Sequence, residues 1–167
     1  EHILKQRDLF PALAESGCLF MISAVESLSE VVLSALEKRH SRHDVVEALQ
    51  ICRDVGITLR PTWVAFTPWT TLEDYIEMLE FVDQHGLVDS VGPVQCTIRL
   101  LVPQGSCLID SHAMKPHMLE LDQQAFAYRW KHPDSRMDRL HRHVSALVEQ
   151  AAETGEDPAV TFYSVLE

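Results

Sequence analysis

Apolar residues fall into three near-continuous runs in the first two thirds of the chain, and a glycine stands ahead of each. Gly17 precedes Cys18–Val25, Gly56 precedes Ile57–Phe66, and Gly86 precedes Val94–Val102 across a short connection. Runs of this length, bounded by turn residues, read as strands buried on both faces of a parallel sheet. The sequence between them has helical spacing instead. Val32, Leu33 and Leu36 make one stripe, Val45, Val46, Leu49 and Cys52 a second, and Tyr75, Ile76, Leu79 and Val82 a third. Such stripes are the core-facing sides of helices. Ser27-Leu-Ser-Glu30, Ser41-Arg-His-Asp44 and Thr70-Thr-Leu-Glu73 supply side chains that cap helix N-termini, so helices are predicted over 28–38, 42–55 and 71–85. Ahead of them, Ile3, Leu4, Phe10 and Leu13 predict a helix over 3–15. Pro11 interrupts it, and a second short helix starts at or near that proline.

The glycines recur every thirty to forty residues, the length of one strand, one capped helix and two turns. The pattern predicts an α/β fold: three βα units on a parallel sheet with right-handed crossovers, open or closed into a barrel. The last third reads differently. Asp110–Pro116 is a loop, Leu119–Trp130 a predicted helix, and Lys131-His-Pro-Asp134 a break in which Asp134 or Ser135 caps the next helix. Met137, Leu140, Val144, Leu147 and Ala151 then form a regular apolar stripe, and a last short helix starts near Ala159 after Gly155-Glu-Asp-Pro158. Residues 110–167 are thus expected to be a helical extension.

Composition narrows the classes. At 167 residues and 46% hydrophobic, the chain can bury one sizeable core. A formal charge of −11 argues against nucleic acid or an anionic membrane as the main partner. The most apolar stretch, Cys18–Val25, is far too short to span a bilayer, and no signal-peptide pattern opens the chain. Four scattered cysteines, Cys18, Cys52, Cys96 and Cys107, fit reduced buried thiols in a cytoplasmic protein better than a disulfide framework. The chain opens on Glu1 in helix-like sequence, so a piece of a longer protein is expected.

Polar residues are held back for the end of the first strand, at Glu26 and Ser27. In parallel sheets ligands gather at the carboxyl ends of the strands. These two residues can cap the following helix or hydrogen-bond a polar ligand, and the two roles are compatible. Arg99 lies inside the third strand, where a structural role and an anion contact are both open, the structural one favoured. The histidine pairs His40/His43 and His141/His143 lack a third partner at zinc spacing. No nucleophile elbow, phosphate-cradling glycine loop or basic aromatic stripe is present.

Gly17-Cys18 … Ala24-Val-Glu26-Ser27 … Leu36-Glu-Lys38-Arg-His40 resembles the fourth strand and following helix of the radical S-adenosylmethionine (SAM) enzymes. There a glycine and a hydrophobic strand lead to a Gly-(Ile/Val)-Glu-Ser tip and then Leu-x-Lys-Gly-His. Val55-Gly56-Ile57 followed by Thr67-Pro68-Trp-Thr-Thr71 is similar to that family's Ala-Gly-Ile … Gly-x-Pro-Gly-Glu-Thr, and Val102-Pro103-Gln-Gly105-Ser106 to its Tyr-Pro-Gly-Thr tip. The segment from Trp130 to Leu140 resembles members that also carry a cobalamin-binding domain.

The resemblance implies that residues 1–109 are the C-terminal half of a partial TIM-like (βα)6 barrel. It implies that Glu26 and Ser27 contact the ribose or amino-acid moiety of SAM. Ala65, Phe66 and Pro68 would back the adenine, and Val102 and Gly105 would meet it through backbone groups. The departures are specific. Ala24 stands for a glycine, Trp69 and Thr70 replace Gly-Glu, and the Cys-x-x-x-Cys-x-x-Cys that holds a 4Fe–4S cluster is missing. The chain is therefore expected to supply no catalytic residue and no metal ligand, and to bind no cofactor alone. The cluster, SAM and, as a further candidate, cobalamin would belong to the full-length enzyme. The implied partners are the missing N-terminal half of the barrel or a second copy paired through exposed strand edges. The alternative is a non-catalytic α/β domain for partner binding or assembly. A barrel enzyme using Glu26 as general base lacks a partner acid.

Overall fold

Parallel pairing of two strands sets the frame. A computed structural model, describing residues 1–167, places β1 (Phe20–Glu26) beside β2 (Thr58–Trp63), in register from Phe20↔Thr58 to Ala24↔Thr62. Two short helices, α1 (His2–Lys5) and α2 (Phe10–Glu15), precede β1, with Pro11 in the first turn of α2. The crossover carries α3 (Glu30–Ala35) and α4 (Arg42–Asp54), and α5 (Leu72–Gln84) follows β2. Gly17 and Gly56, at φ 88° and 75°, make the left-handed turns that send the chain from helix into strand.

The caps show how local chemistry sets the boundaries. Ser41 and Asp44 form a reciprocal capping box on α4, as predicted. On α5 the box is Thr71 with Asp74, one residue later than predicted, because the Thr70 hydroxyl is engaged with that of Thr67 at 2.8 Å. The predicted box at Ser27 does not form. Its hydroxyl accepts instead from Ser29 N–H at 3.1 Å, so α3 starts at Glu30 and is shorter than the pattern suggested.

The third strand is reduced to a bridge. Gly92-Pro93 opens a tight 3-10 segment over Pro93–Thr97, since proline pre-sets the helical φ and lacks the ladder donor. What remains of the parallel pairing is Phe66↔Arg99, made by Phe66 N–H to Ile98 O at 2.9 Å and Leu100 N–H to Phe66 O at 2.8 Å.

Residues predicted as a helix over 119–130 form an antiparallel hairpin instead, β3 (Met118–Asp122) with β4 (Ala127–Trp130). The turn explains it: Asp122 Oδ1 accepts from both Gln124 and Ala125 N–H, and Phe126 takes φ 53°. An aspartate folded onto its own downstream backbone competes with helix. The hairpin closes over the segment after the bridge, Tyr128 N–H meeting Val102 O and Trp130 Nε1 meeting Leu100 O, both at 2.8 Å.

The sheet is sided. Leu59, Pro61 and Trp63 of β2 are buried, while Phe20 and Ile22 of β1 stay 45% and 65% exposed on the opposite face. The prediction of strands buried on both faces is corrected, because no helix covers that face. Arg60 lies on it and its guanidinium stacks 4.1 Å over the Phe20 ring. One core of 25 residues joins Phe10, Val25, Leu59, Trp63 and Phe81 to Met137 and Val144 of α6 (Ser135–Thr154) and Phe162 of α7 (Pro158–Leu166). A smaller cluster of Val102, Met114 and Trp130 lies under the hairpin. Phe162 is fully buried, so Phe162→Ala is expected to cost about 3–5 kcal/mol in urea unfolding. Ser41→Ala, losing one cap, should cost only about 1 kcal/mol in the same measurement.

Candidate functional site

Parallel strands bring their carboxyl ends to one end of the sheet. At that end β1 bulges: Ala24 pairs with Thr62 but Glu26 with Trp63, leaving Val25 as the extra residue. Ser27 N–H then reaches back to Val25 O at 2.8 Å, a three-residue turn with Glu26 at its centre and φ 67°. Turns of this positive-φ kind are rare, and a non-glycine residue there carries about 1–2 kcal/mol of strain. Three bonds hold it: Lys38 Nζ to Glu26 Oε1 at 2.9 Å, the His40 ring Nε2 to Val25 O at 2.9 Å, and Val64 N–H to Glu26 O at 2.9 Å. A carbonyl only accepts, so His40 carries its proton on Nε2. The Glu26 side chain is 17% exposed, with Lys38 beside it. The tip thus presents one anchored carboxylate beside a half-exposed ammonium, able to meet both donors and acceptors of a polar ligand.

The other predicted contacts sit differently. Ala65 and Phe66 are buried after β2, and the Phe66 ring packs 4.9 Å from Tyr75 and 4.9 Å edge-on to His141, among core side chains. Pro68 is fully buried, Val102 has no exposure, and Gly105 turns at φ 82° in an exposed loop. Any ligand would meet these residues through backbone rather than side chains. None of these positions, nor Glu26 or Ser27, lines the three main clefts. The first of these, about 540 Å³, follows the unpaired edge of β1 past Met21, Val25, Lys38 and His40. The second, about 560 Å³, lies between α3 and Trp69, whose Nε1 donates to Ala113 O at 3.3 Å.

Arg99 has a structural role. Its guanidinium lies 3.6 Å over the Trp130 ring, donates to Trp130 O at 3.0 Å and pairs with Asp138 Oδ1 at 2.9 Å. That ion pair is close but not aligned as a hydrogen bond, so Asp138 Oδ1 is buried with a charge for a partner and no donated proton. His132, missed in the sequence, ties this region to the loop that leads into α5. Asp134 N–H donates to its Nδ1 at 2.9 Å, so Nε2 carries the proton and donates to Thr70 O at 2.9 Å. Its only sequence signal was the break at Lys131-His-Pro.

The cysteines do not make a metal centre. No three His, Cys, Asp or Glu side chains converge as ligands. Burial pushes the Cys52 and Cys96 thiols up to about 11 and about 12, holding them protonated. Cys18 is half-buried and Cys107 exposed, which corrects the expectation that all four are buried. The residues present do not fit a 4Fe–4S cluster.

No protein-family model matches the chain, and no curated protein sequence matches it. Among solved structures it is similar to the cobalamin-dependent S-adenosylmethionine radical enzyme OxsB with aqua-cobalamin bound. The TM-score is 0.72 at 12% identity, over 89% of this chain. The chain spans 26% of that enzyme's length. The likeness is one of fold. No helix is long and apolar enough to cross a membrane.

Glycine relieves a positive φ and β-branching aggravates it. Glu26→Gly should therefore leave stability within about 1 kcal/mol, while Glu26→Val should cost about 1–2 kcal/mol more in urea unfolding. Acid sensitivity has its own source. His141 donates from Nε2 to Thr97 O at 3.2 Å, and burial, then the Arg99 charge, holds it below its ordinary 6.5. Burial lowers His85 and His117 likewise. The unfolded chain takes up these protons first, so stability is full above 6.5 and falls as pH drops through it. The thermal midpoint should fall between about pH 7.5 and 5.5, and His141→Gln should flatten that slope.

Proposed function

We propose that this chain is part of a radical SAM enzyme: the C-terminal half of its (βα)6 barrel, followed by an extension. The observation that carries the reading is the strained, anchored Glu26–Ser27 tip at the carboxyl end of a parallel strand, in a chain sharing the fold of a cobalamin-dependent radical SAM enzyme. Strained backbone concentrates where a ligand is gripped. In the parent enzyme the chemistry would come from SAM and a 4Fe–4S cluster held by the rest of the barrel, the cofactors supplying reductive cleavage to a 5′-deoxyadenosyl radical. Cobalamin is a further candidate cofactor of that parent.

The part assigned to this chain is positional. Glu26 accepts from ribose hydroxyls or the amino group of SAM, with Lys38 fixing its carboxylate, and Ser27 lies beside it. Backbone groups at 65–68 and 102–105 border the adenine. Four cysteines without a disulfide suit a reducing cytoplasmic setting.

A second reading, a non-catalytic domain for partner binding or assembly, is favoured by the bare apolar face at Phe20 and Ile22 and the unpaired edge of β1. Such an edge recruits another strand, from the rest of the barrel or from a second copy. Light scattering should find the 167-residue chain self-associated; a strict monomer counts against this reading.

Anaerobic reconstitution of the chain alone should give no 4Fe–4S absorption, and its appearance would overturn the assignment of the cluster to the rest of the barrel. In the protein that carries the chain with its upstream sequence, a Cys-x-x-x-Cys-x-x-Cys is expected. Dithionite should then yield 5′-deoxyadenosine from SAM, and Glu26→Gln should raise KM for SAM about tenfold, the loss of one charge-assisted hydrogen bond. Unchanged KM would remove Glu26 from the site.

A further inference from the structure

We propose that the cleft between the β3–β4 hairpin and α6 binds a phosphorylated organic molecule through its phosphoryl group. The cleft, about 460 Å³, is walled by Arg99, Arg129, Lys131 and Arg142, with Asp122 and Asp138 as its carboxylates. Four cations facing two carboxylates is the reverse of the chain as a whole, which has 25 acidic residues against 14 basic ones.

The two carboxylates are already engaged. Asp138 is held by Arg99 at 2.9 Å, and Asp122 Oδ1 accepts from the Gln124 and Ala125 amides of its own turn. Arg129 pairs with Glu120 at 3.1 Å. Arg142 stands four residues after Asp138 on the same face of α6, where an ion pair is ordinarily expected. Asp138 turns to Arg99 instead, and neither Arg142 nor Lys131 makes any ion pair. Two free cations therefore converge on a cleft whose third, Arg99, is immobilised against Trp130. Like charges held together favour an anion between them.

Guanidinium and ammonium donors arrayed around one concavity match the oxygens of a phosphoryl group, which bears more charge than a single carboxylate. The remaining wall is apolar: Leu101 is 67% exposed and Leu119 39% exposed, beside Leu100 and Ala127. An inorganic ion would leave that wall wet, whereas a phosphate ester covers it. The cleft volume fits a small organic ligand. This inference rests on the C-terminal segment and is independent of the SAM reading.

The test is calorimetric titration of the 167-residue chain at fixed ionic strength with inorganic phosphate, phenyl phosphate, benzoate and oligothymidylates of increasing length. Phenyl phosphate should bind about tenfold more tightly than either inorganic phosphate or benzoate. Lys131→Gln with Arg142→Gln should weaken it at least tenfold, while Lys5→Gln with Arg7→Gln, removing equal charge from the N-terminal segment, should change it less than twofold. Leu101→Ser should weaken phenyl phosphate and leave inorganic phosphate unchanged. Both cleft side chains are exposed and unpaired, so circular dichroism and thermal midpoint should not move. No binding at millimolar concentration, equal loss in the two charge variants, or equal affinity for benzoate overturns the proposal. Affinity that climbs with oligothymidylate length and is lost with Lys131 and Arg142 overturns it in favour of a nucleic-acid surface.

Discussion

The structure depends on the parallel alignment of β1 with β2. Antiparallel neighbours would scatter the strand ends, but parallel ones place every carboxyl end on one side and require a helical crossover on one face. The crossover and the α5 that follows β2 bury Leu59 and Trp63 on one face, Trp63 against Phe81 of α5, and leave Phe20, Ile22 and Arg60 uncovered. A sheet of two strands with one bare face is rarely stable alone. Here it is held by a core extending through Met137, Val144 and Phe162, so the C-terminal helices support the same sheet that forms the strand tips.

The two edges of the sheet are treated differently. Beyond Arg99 the backbone is covered by the hairpin, through Tyr128 and Trp130. The edge of β1 has no such cover. A strand that pairs on one side only and carries exposed Phe20 and Ile22 is a template for further β-structure. Pairing is therefore closed at one edge of the sheet and open at the other. At the covered edge Arg99 joins strand, hairpin and α6 through Trp130 and Asp138.

Glu26 is one of three non-glycine residues with positive φ, beside Glu37 and Phe126, and the one at a strand tip. A bulge at Val25 runs straight into a positive φ and a three-residue turn at Glu26, and Lys38 and His40 arrive from the segment after α3 to hold it. The ion pair is partly exposed and by itself worth about 0–1 kcal/mol. Its greater effect is to fix where the carboxylate points.

Local signals carried much of this. Gly17, Gly56 and Gly86 marked the entries to the βα units because only a residue without Cβ takes the left-handed turn cheaply. The capping chemistry at Ser41 and the stripe on α6 were legible for the same reason: each depends on residues within a turn or two. Glu26 and Ser27 could be picked out as a polar end to an apolar run, but nothing in sequence showed that Glu26 is strained. Long-range contacts decided the rest. Whether Val94–Val102 pairs as a strand depended on Pro93 and on a neighbour thirty residues away, and only Arg99 reached it. Residues 118–130 had enough apolar spacing for a helix, and became a hairpin because Asp122 turned the chain and Leu100 and Val102 offered open carbonyls. The cleft of cations around Arg142 was invisible for a related reason. Its members come from the strand segment, the hairpin and α6, and charge in sequence is an average that only folding can sort into a place.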